Sequence, residues 1–157
     1  MRTKTLSCAV ILALFPVLCV AETEACAKQS SLQLVQKAAK QGNAKAEDCL
    51  GDVYFYADLP RHAIYWFNKS ADQGYALGEL DLGLIIGSQN CNRSHYWIRK
   101  AVEQGSGIAE MQLALDYLNG TDCLPKSRIK AAYWTQRAAN QGNVEAKKFL
   151  RGLAPSS

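Results

Sequence analysis

Ser127-Arg128-Ile129-Lys130 fits S-x-x-K, the arrangement in which a lysine one helical turn on assists a serine nucleophile in penicillin-recognising enzymes. Its companion strings S-D-N and K-T-G are absent, and Ser127 stands where a helix is expected to begin, so a structural role is expected for it. His62 and His95 are too isolated to form a ligand pair. There is no H-E-x-x-H string, no phosphate loop and no convincing pair of catalytic carboxylates. Six cysteines include no C-x-x-C and have no histidine pair beside them, which is a poor zinc set. No metal and no cofactor are expected.

These side chains need elements to hold them, and the chain of 157 residues is shorter than it looks. Arg2 and Lys4 precede an almost unbroken apolar stretch from Leu6 to Val20, and Cys19-Val20-Ala21 supplies small residues at a cleavage position. Residues 1–21 therefore read as a secretory signal, leaving one domain over residues 22–157 in an oxidising compartment, expected to be the periplasm, with the cell exterior as the alternative. The apolar stretch is too short and too interrupted by Pro16 to span a bilayer. Leu18 before Cys19 argues against a lipid anchor. Loss of Arg2 and Lys4 lowers the formal charge from +4 to +2, so nothing calls for a nucleic-acid partner. Cys26, Cys49, Cys91 and Cys123 remain, and they read as two disulfides.

The chain repeats itself. Gln-Gly occurs at Gln41-Gly42, Gln73-Gly74, Gln104-Gly105 and Gln141-Gly142. Eight residues before the last three glycines stand Trp66, Trp97 and Trp134. Five before each glycine is a cation (Lys37, Lys69, Lys100, Arg137), and eight after it a leucine (Leu50, Leu82, Leu113, Leu150). Offsets of 3, 4, 7 and 8 place residues on single helix faces, and each glycine suits the left-handed cap of a helix end. The spacing predicts a B helix, a tight turn and an A helix, four times over. The B helices are expected at 29–41, 61–73, 93–104 and 126–141, and the A helices at 43–57, 75–87, 106–119 and 143–151. Pro60 and Pro125 should open two of the B helices. Paired by the loops between them, these give units at about 29–57, 61–87, 93–119 and 126–151.

The strings Ala46-x3-Leu50-Gly51-x2-Tyr54 and Ala131-x2-Trp134-x2-Arg137-Ala138-Ala139-x-Gln141-Gly142 resemble the Sel1-like repeats, relatives of the tetratricopeptide repeat. The resemblance implies an all-α, right-handed α-solenoid of about four helix–turn–helix repeats that binds other proteins or envelope components. The loops at 57–60 and 87–92 are shorter than the family's usual connection. A solenoid stacks equivalent loops side by side, so Cys91 is expected to bond Cys123, leaving Cys26 with Cys49, although three connectivities are formally possible. Some disulfide-bridged members are linked to penicillin binding. A β-lactam- or peptidoglycan-acting enzyme built on Ser127 and Lys130 is therefore one alternative.

In such a solenoid the A helices line the concave side. The first three each sum to −2, which predicts an acidic groove. Positions 3, 7, 10 and 14 after each glycine form one stripe: Lys45, Cys49, Asp52, Tyr56; Leu77, Asp81, Leu84, Ser88; Ile108, Gln112, Leu115, Asn119. Apolar residues alternating with acids suggest a floor for a basic partner with protruding apolar side chains. Burial of the central A helices by their neighbours would explain the same leucines. On the B helices, positions 12, 9 and 5 before the glycine read His62, Tyr65, Lys69; Arg93, Tyr96, Lys100; Lys130, Tyr133, Arg137. This basic-aromatic ladder is either a solvated convex face or a surface for an anionic envelope component. The tryptophans are expected in the core. The favoured expectation is a non-enzymatic periplasmic module that binds a protein partner through Asp52, Tyr56, Leu77, Asp81, Leu84, Ile108, Gln112 and Leu115. An inhibitor or immunity protein, or an envelope-assembly scaffold, would have this build.

Overall fold

The computed structural model describes residues 32–121 and 123–153. The expected signal at 1–21, the start of the first B helix and Cys26 lie outside them. Among the described residues there are eight helices: α1 (Leu32–Lys40), α2 (Ala44–Tyr56), α3 (Pro60–Asp72), α4 (Ala76–Ile86), α5 (Cys91–Glu103), α6 (Gly107–Asn119), α7 (Arg128–Asn140) and α8 (Val144–Leu153). No strand is found among them, only an isolated bridge between Thr121 and Leu124. The odd-numbered helices are the B helices of the sequence pattern and the even-numbered ones its A helices.

Each B helix ends as its glycine column requires. Gly42, Gly74, Gly105 and Gly142 take φ of 83°, 76°, 77° and 93°, a region closed to most side chains. The residue after three of them then starts the next helix. Asn43, Ser106 and Asn143 accept the backbone N–H three residues on, at 2.9, 3.4 and 2.8 Å, which satisfies a donor with no partner inside the helix. Pro60 opens α3 as expected. Pro125 does not open α7: Ser127 caps that helix, its Oγ accepting the Lys130 N–H at 3.3 Å, and the helix begins two residues later than the pattern suggested.

Every helix packs on its sequence neighbours, and α2 also touches α4 directly. This is an α-solenoid, a stack in which each helix buries its apolar stripe against the next. The largest core cluster joins Leu80 of α4, Ile98 and Val102 of α5, Leu113 and Tyr117 of α6 and Ala131 of α7. A second joins Phe67 of α3 to Leu82, Ile86 and Trp97. Trp134 and Ile108 pack partly buried against the first. Gly51 and Gly83 set the closeness of two hairpins. A Cβ on Gly51 would lie 2.4 Å from the Phe67 ring, and one on Gly83 2.8 Å from Ile98, so only a missing side chain admits the facing helix.

Cys91, the first residue of α5, is bonded to Cys123 in the long loop after α6, with Cα atoms 5.9 Å apart. Closing a loop between residues separated by 32 positions stabilises by about 3.7 kcal/mol on chain entropy. Cys49 is also disulfide-bonded, while Cys26, its expected partner, lies outside the described residues.

Candidate functional site

The acidic A-helix face expected from summed charges is not what the folded chain presents. Glu47, Glu79 and Glu110, one in each of α2, α4 and α6, are almost wholly buried, at 0%, 1% and 0% exposure. Each turns toward the following B helix and meets the cation of the repeating column. Lys69 lies 3.4 Å from Glu47, Lys100 3.7 Å from Glu79 and Arg137 2.9 Å from Glu110. The glutamine before the turn glycine adds a second contact: Gln104 donates to Glu79 at 2.7 Å, and Gln73 donates to Glu47. Burial raises the Glu79 carboxyl above its usual range, and Lys100 and Gln104 only partly offset that. A buried carboxylate is tolerable only with such partners.

The same contacts revise the basic-aromatic ladder. Its cations also cover the tryptophans. Lys69 sits 5.2 Å above Trp66, Lys100 4.9 Å above Trp97 and Arg137 5.1 Å above Trp134, and each Trp meets its preceding Tyr edge-on. Lys69, Lys100 and Arg137 are thus interior wiring, half-exposed but committed to buried acids and rings. Of the other ladder residues, His62 stacks on Tyr54 at 5.2 Å, and Lys130 lies 5.0 Å over the Tyr117 ring. Lys130 is therefore engaged with an aromatic face, while Ser127 is engaged as a helix cap, the structural role expected of it. Tyr65, Tyr96 and Tyr133 remain 55% exposed, and Arg93 is exposed.

The A-helix stripe stays at the surface. Leu77, Ile108, Gln112 and Leu115 are half-buried, as are Asp52 and Asp81, while Tyr56 and Leu84 are exposed. Complete burial by neighbouring helices does not account for them. Direct packing of α2 on α4 brings the first two segments together, and α6 joins them through α5. Cys49, in the same column, is buried and contributes no contact surface. With the three glutamates turned inward, the stripe's own charges are Lys45, Asp52 and Asp81. The face is apolar with two carboxylates, far less acidic than the helix sums of −2 implied.

One polar cluster escaped the sequence reading. His95, buried on α5, has Nε2 3.2 Å from Thr121 Oγ and Nδ1 3.9 Å from Asp116 Oδ2. Asp116 accepts from Gln112 at 2.9 Å. Burial lowers the His95 pKa, partly opposed by Asp116, and raises that of Asp116. Thr121 also accepts the Leu124 N–H, so His95 ties the disulfide-bearing loop to the stack. No local string announces this cluster, because its members come from two helices and a loop. The glutamate column, by contrast, was legible: it lies five residues after each of the first three turn glycines. Among the described residues, no group of three or more His, Cys, Asp or Glu is placed to hold a metal ion, and no helix is long and apolar enough to cross a membrane.

A stack of helix pairs of this kind defines a helical-repeat protein. The Sel1 repeat model matches residues 28–43, 50–75, 75–106 and 107–143, and the chain belongs to the Sel1 repeat family. Proteins built of these repeats generally mediate protein–protein interaction and are mostly non-catalytic scaffolds. The fold is similar to that of a protective antigen of uropathogenic Escherichia coli that displays an SLR fold. The TM-score is 0.65 at 27% identity, over 73% of this chain and 27% of that one. It is also similar to a Sel1 repeat protein from Oxalobacter formigenes, with TM-score 0.64 and 30% identity over 73% of this chain and 93% of that one. The chain thus spans about a quarter of the length of the first relative and nearly all of the second. A search of curated proteins returned no significant match.

Proposed function

We propose that this chain is an exported, non-enzymatic binding module that captures a protein partner along the A-helix stripe in the bacterial periplasm. The observation that carries the reading is the exposure of Leu84, flanked by the half-buried Leu77, Ile108 and Leu115, apolar residues on a face where solvent favours polar ones. The partner should bring apolar side chains to that floor. Export rests on the leader-like residues 1–21 and fits the disulfide at Cys91 and Cys123. A small module of this kind suits neutralising an effector or lytic enzyme in the envelope, or holding an envelope assembly together. The test is recovery of partners from envelope extract by the tagged mature chain and by a variant with Leu84→Glu and Leu115→Glu. Loss of a partner in the variant supports the stripe, and identical recovery removes it from the account.

A further inference from the structure

The repeats are not equivalent at their two ends. Five residues past the turn glycine stand Glu47, Glu79 and Glu110, but then Lys147; nine past stand Gly51, Gly83 and Ala114, but then Arg151. Inside the stack these two columns form a socket. The carboxylate takes the cation of the next B helix, and the absent side chain leaves room for Phe67 or Ile98. On α8 both halves of the socket are inverted. Lys147 and Arg151, one helical turn apart on the same face, are both exposed, with cations where a carboxylate and a gap should be.

The other end keeps the plug. In α1, Val35 occupies the column of Phe67 and Ile98, Lys37 that of Lys69, Lys100 and Arg137, and Gln41 that of Gln73 and Gln104. Among the described residues no helix bearing the socket precedes α1. Its Lys37 and Gln41 are exposed, and Leu32 and Leu34 are 48% and 56% exposed. We propose that the α1 end docks a helix of a partner protein that presents a carboxylate and, four residues later, a glycine or alanine. In the same way, Lys147 and Arg151 bar a second copy of this chain from supplying that helix. Charge complementarity selects the occupant: Lys37 attracts a carboxylate there and repels Lys147, and Arg151 fills the gap that Val35 would enter. The bar has a clear use, since a plug at one end and a socket at the other would let copies add head to tail without closing, a route to fibres. This end face is separate from the stripe, so the inference does not rest on the stripe being a binding site.

The test converts a second copy into the partner. The mature chain, the double variant with Lys147→Glu and Arg151→Ala, and the same variant carrying Lys37→Glu are compared by sedimentation velocity over rising concentration. The unaltered chain should stay monomeric. The double variant should show a weight-average mass climbing to about twice the monomer's or more, and Lys37→Glu should return it to monomer. Lys147→Glu alone, which disturbs no buried contact, should give a weaker shift in the same direction. A double variant that stays monomeric would overturn the proposal. Self-association that survives Lys37→Glu, or that the unaltered chain already shows, would do the same.

Discussion

The A-helix stripe and the B-helix ladder are built from similar material, charged residues interleaved with large apolar or aromatic ones at helical spacing, yet folding gives them opposite roles. The ladder's cations reach sideways to Glu47, Glu79 and Glu110 in the neighbouring A helices, so the most regular charge pattern in the chain holds the repeats together. The stripe's apolar members instead stay at the surface, Leu84 exposed and Leu77, Ile108 and Leu115 half-buried. Charge added up along a helix is therefore a poor guide to charge on a surface. A side chain five residues past each of the first three turn glycines points between helices, whereas one ten past them reaches the surface.

The sharpest way to break this contrast is Lys100→Met. It keeps most of the stem over Trp97 but leaves Glu79 buried with Gln104 as its remaining polar partner, and breaking such a pair costs about 3 kcal/mol. Urea unfolding at neutral pH measures it, and a loss below about 0.5 kcal/mol would put the ladder back among solvated surfaces. Because burial already raises the Glu79 pKa, this carboxyl favours the fold below its unfolded pKa and loses that contribution as pH rises through the folded value. The defect in Lys100→Met should therefore shrink on acidification, when the carboxyl can take up a proton.

Gly51→Ala tests the same interface through shape. Its Cβ would meet the Phe67 ring at 2.4 Å, and overpacking of this kind costs about 1–3 kcal/mol, read as a lower thermal midpoint. His95→Gln bears on the loop beside the ladder. The His95 pKa is lowered in the fold, so its contribution is present above the unfolded value near 6.5 and is lost as pH falls through the folded one. The unaltered chain should lose stability across mildly acid pH more steeply than His95→Gln does; parallel melting curves would contradict the buried neutral imidazole. The smallest effect on stability belongs to the stripe. Leu84→Glu should change unfolding by less than about 0.5 kcal/mol while weakening partner capture. Tyr96→Ala on the ladder should leave capture intact, and the reverse result would move the binding face to the B helices.

Helix number, helix type and the turn positions were legible in the sequence because they depend on local chemistry. A Gln-Gly dipeptide recurring every 31 to 37 residues needs only backbone sterics to end a helix, and periodic Leu and Trp columns need only the helical repeat to mark a buried side. The pairing of Cys91 with Cys123 was legible for a related reason, since equivalent loops in a stack must come close. Ser127 shows where local reading stops short. As a cap it delays α7 beyond the start that Pro125 suggested, because the hydroxyl must meet the Lys130 N–H from outside the helix. Only the tertiary structure decided which charges face water. Whether Glu79 neutralises Lys100 or acidifies a groove depends on how the next helix, α5, packs against α4. The link of His95 to Thr121 spans 26 residues. Periodicity assigns a side chain to a face, but what that face meets is set by packing, through burial and through the partners that burial demands.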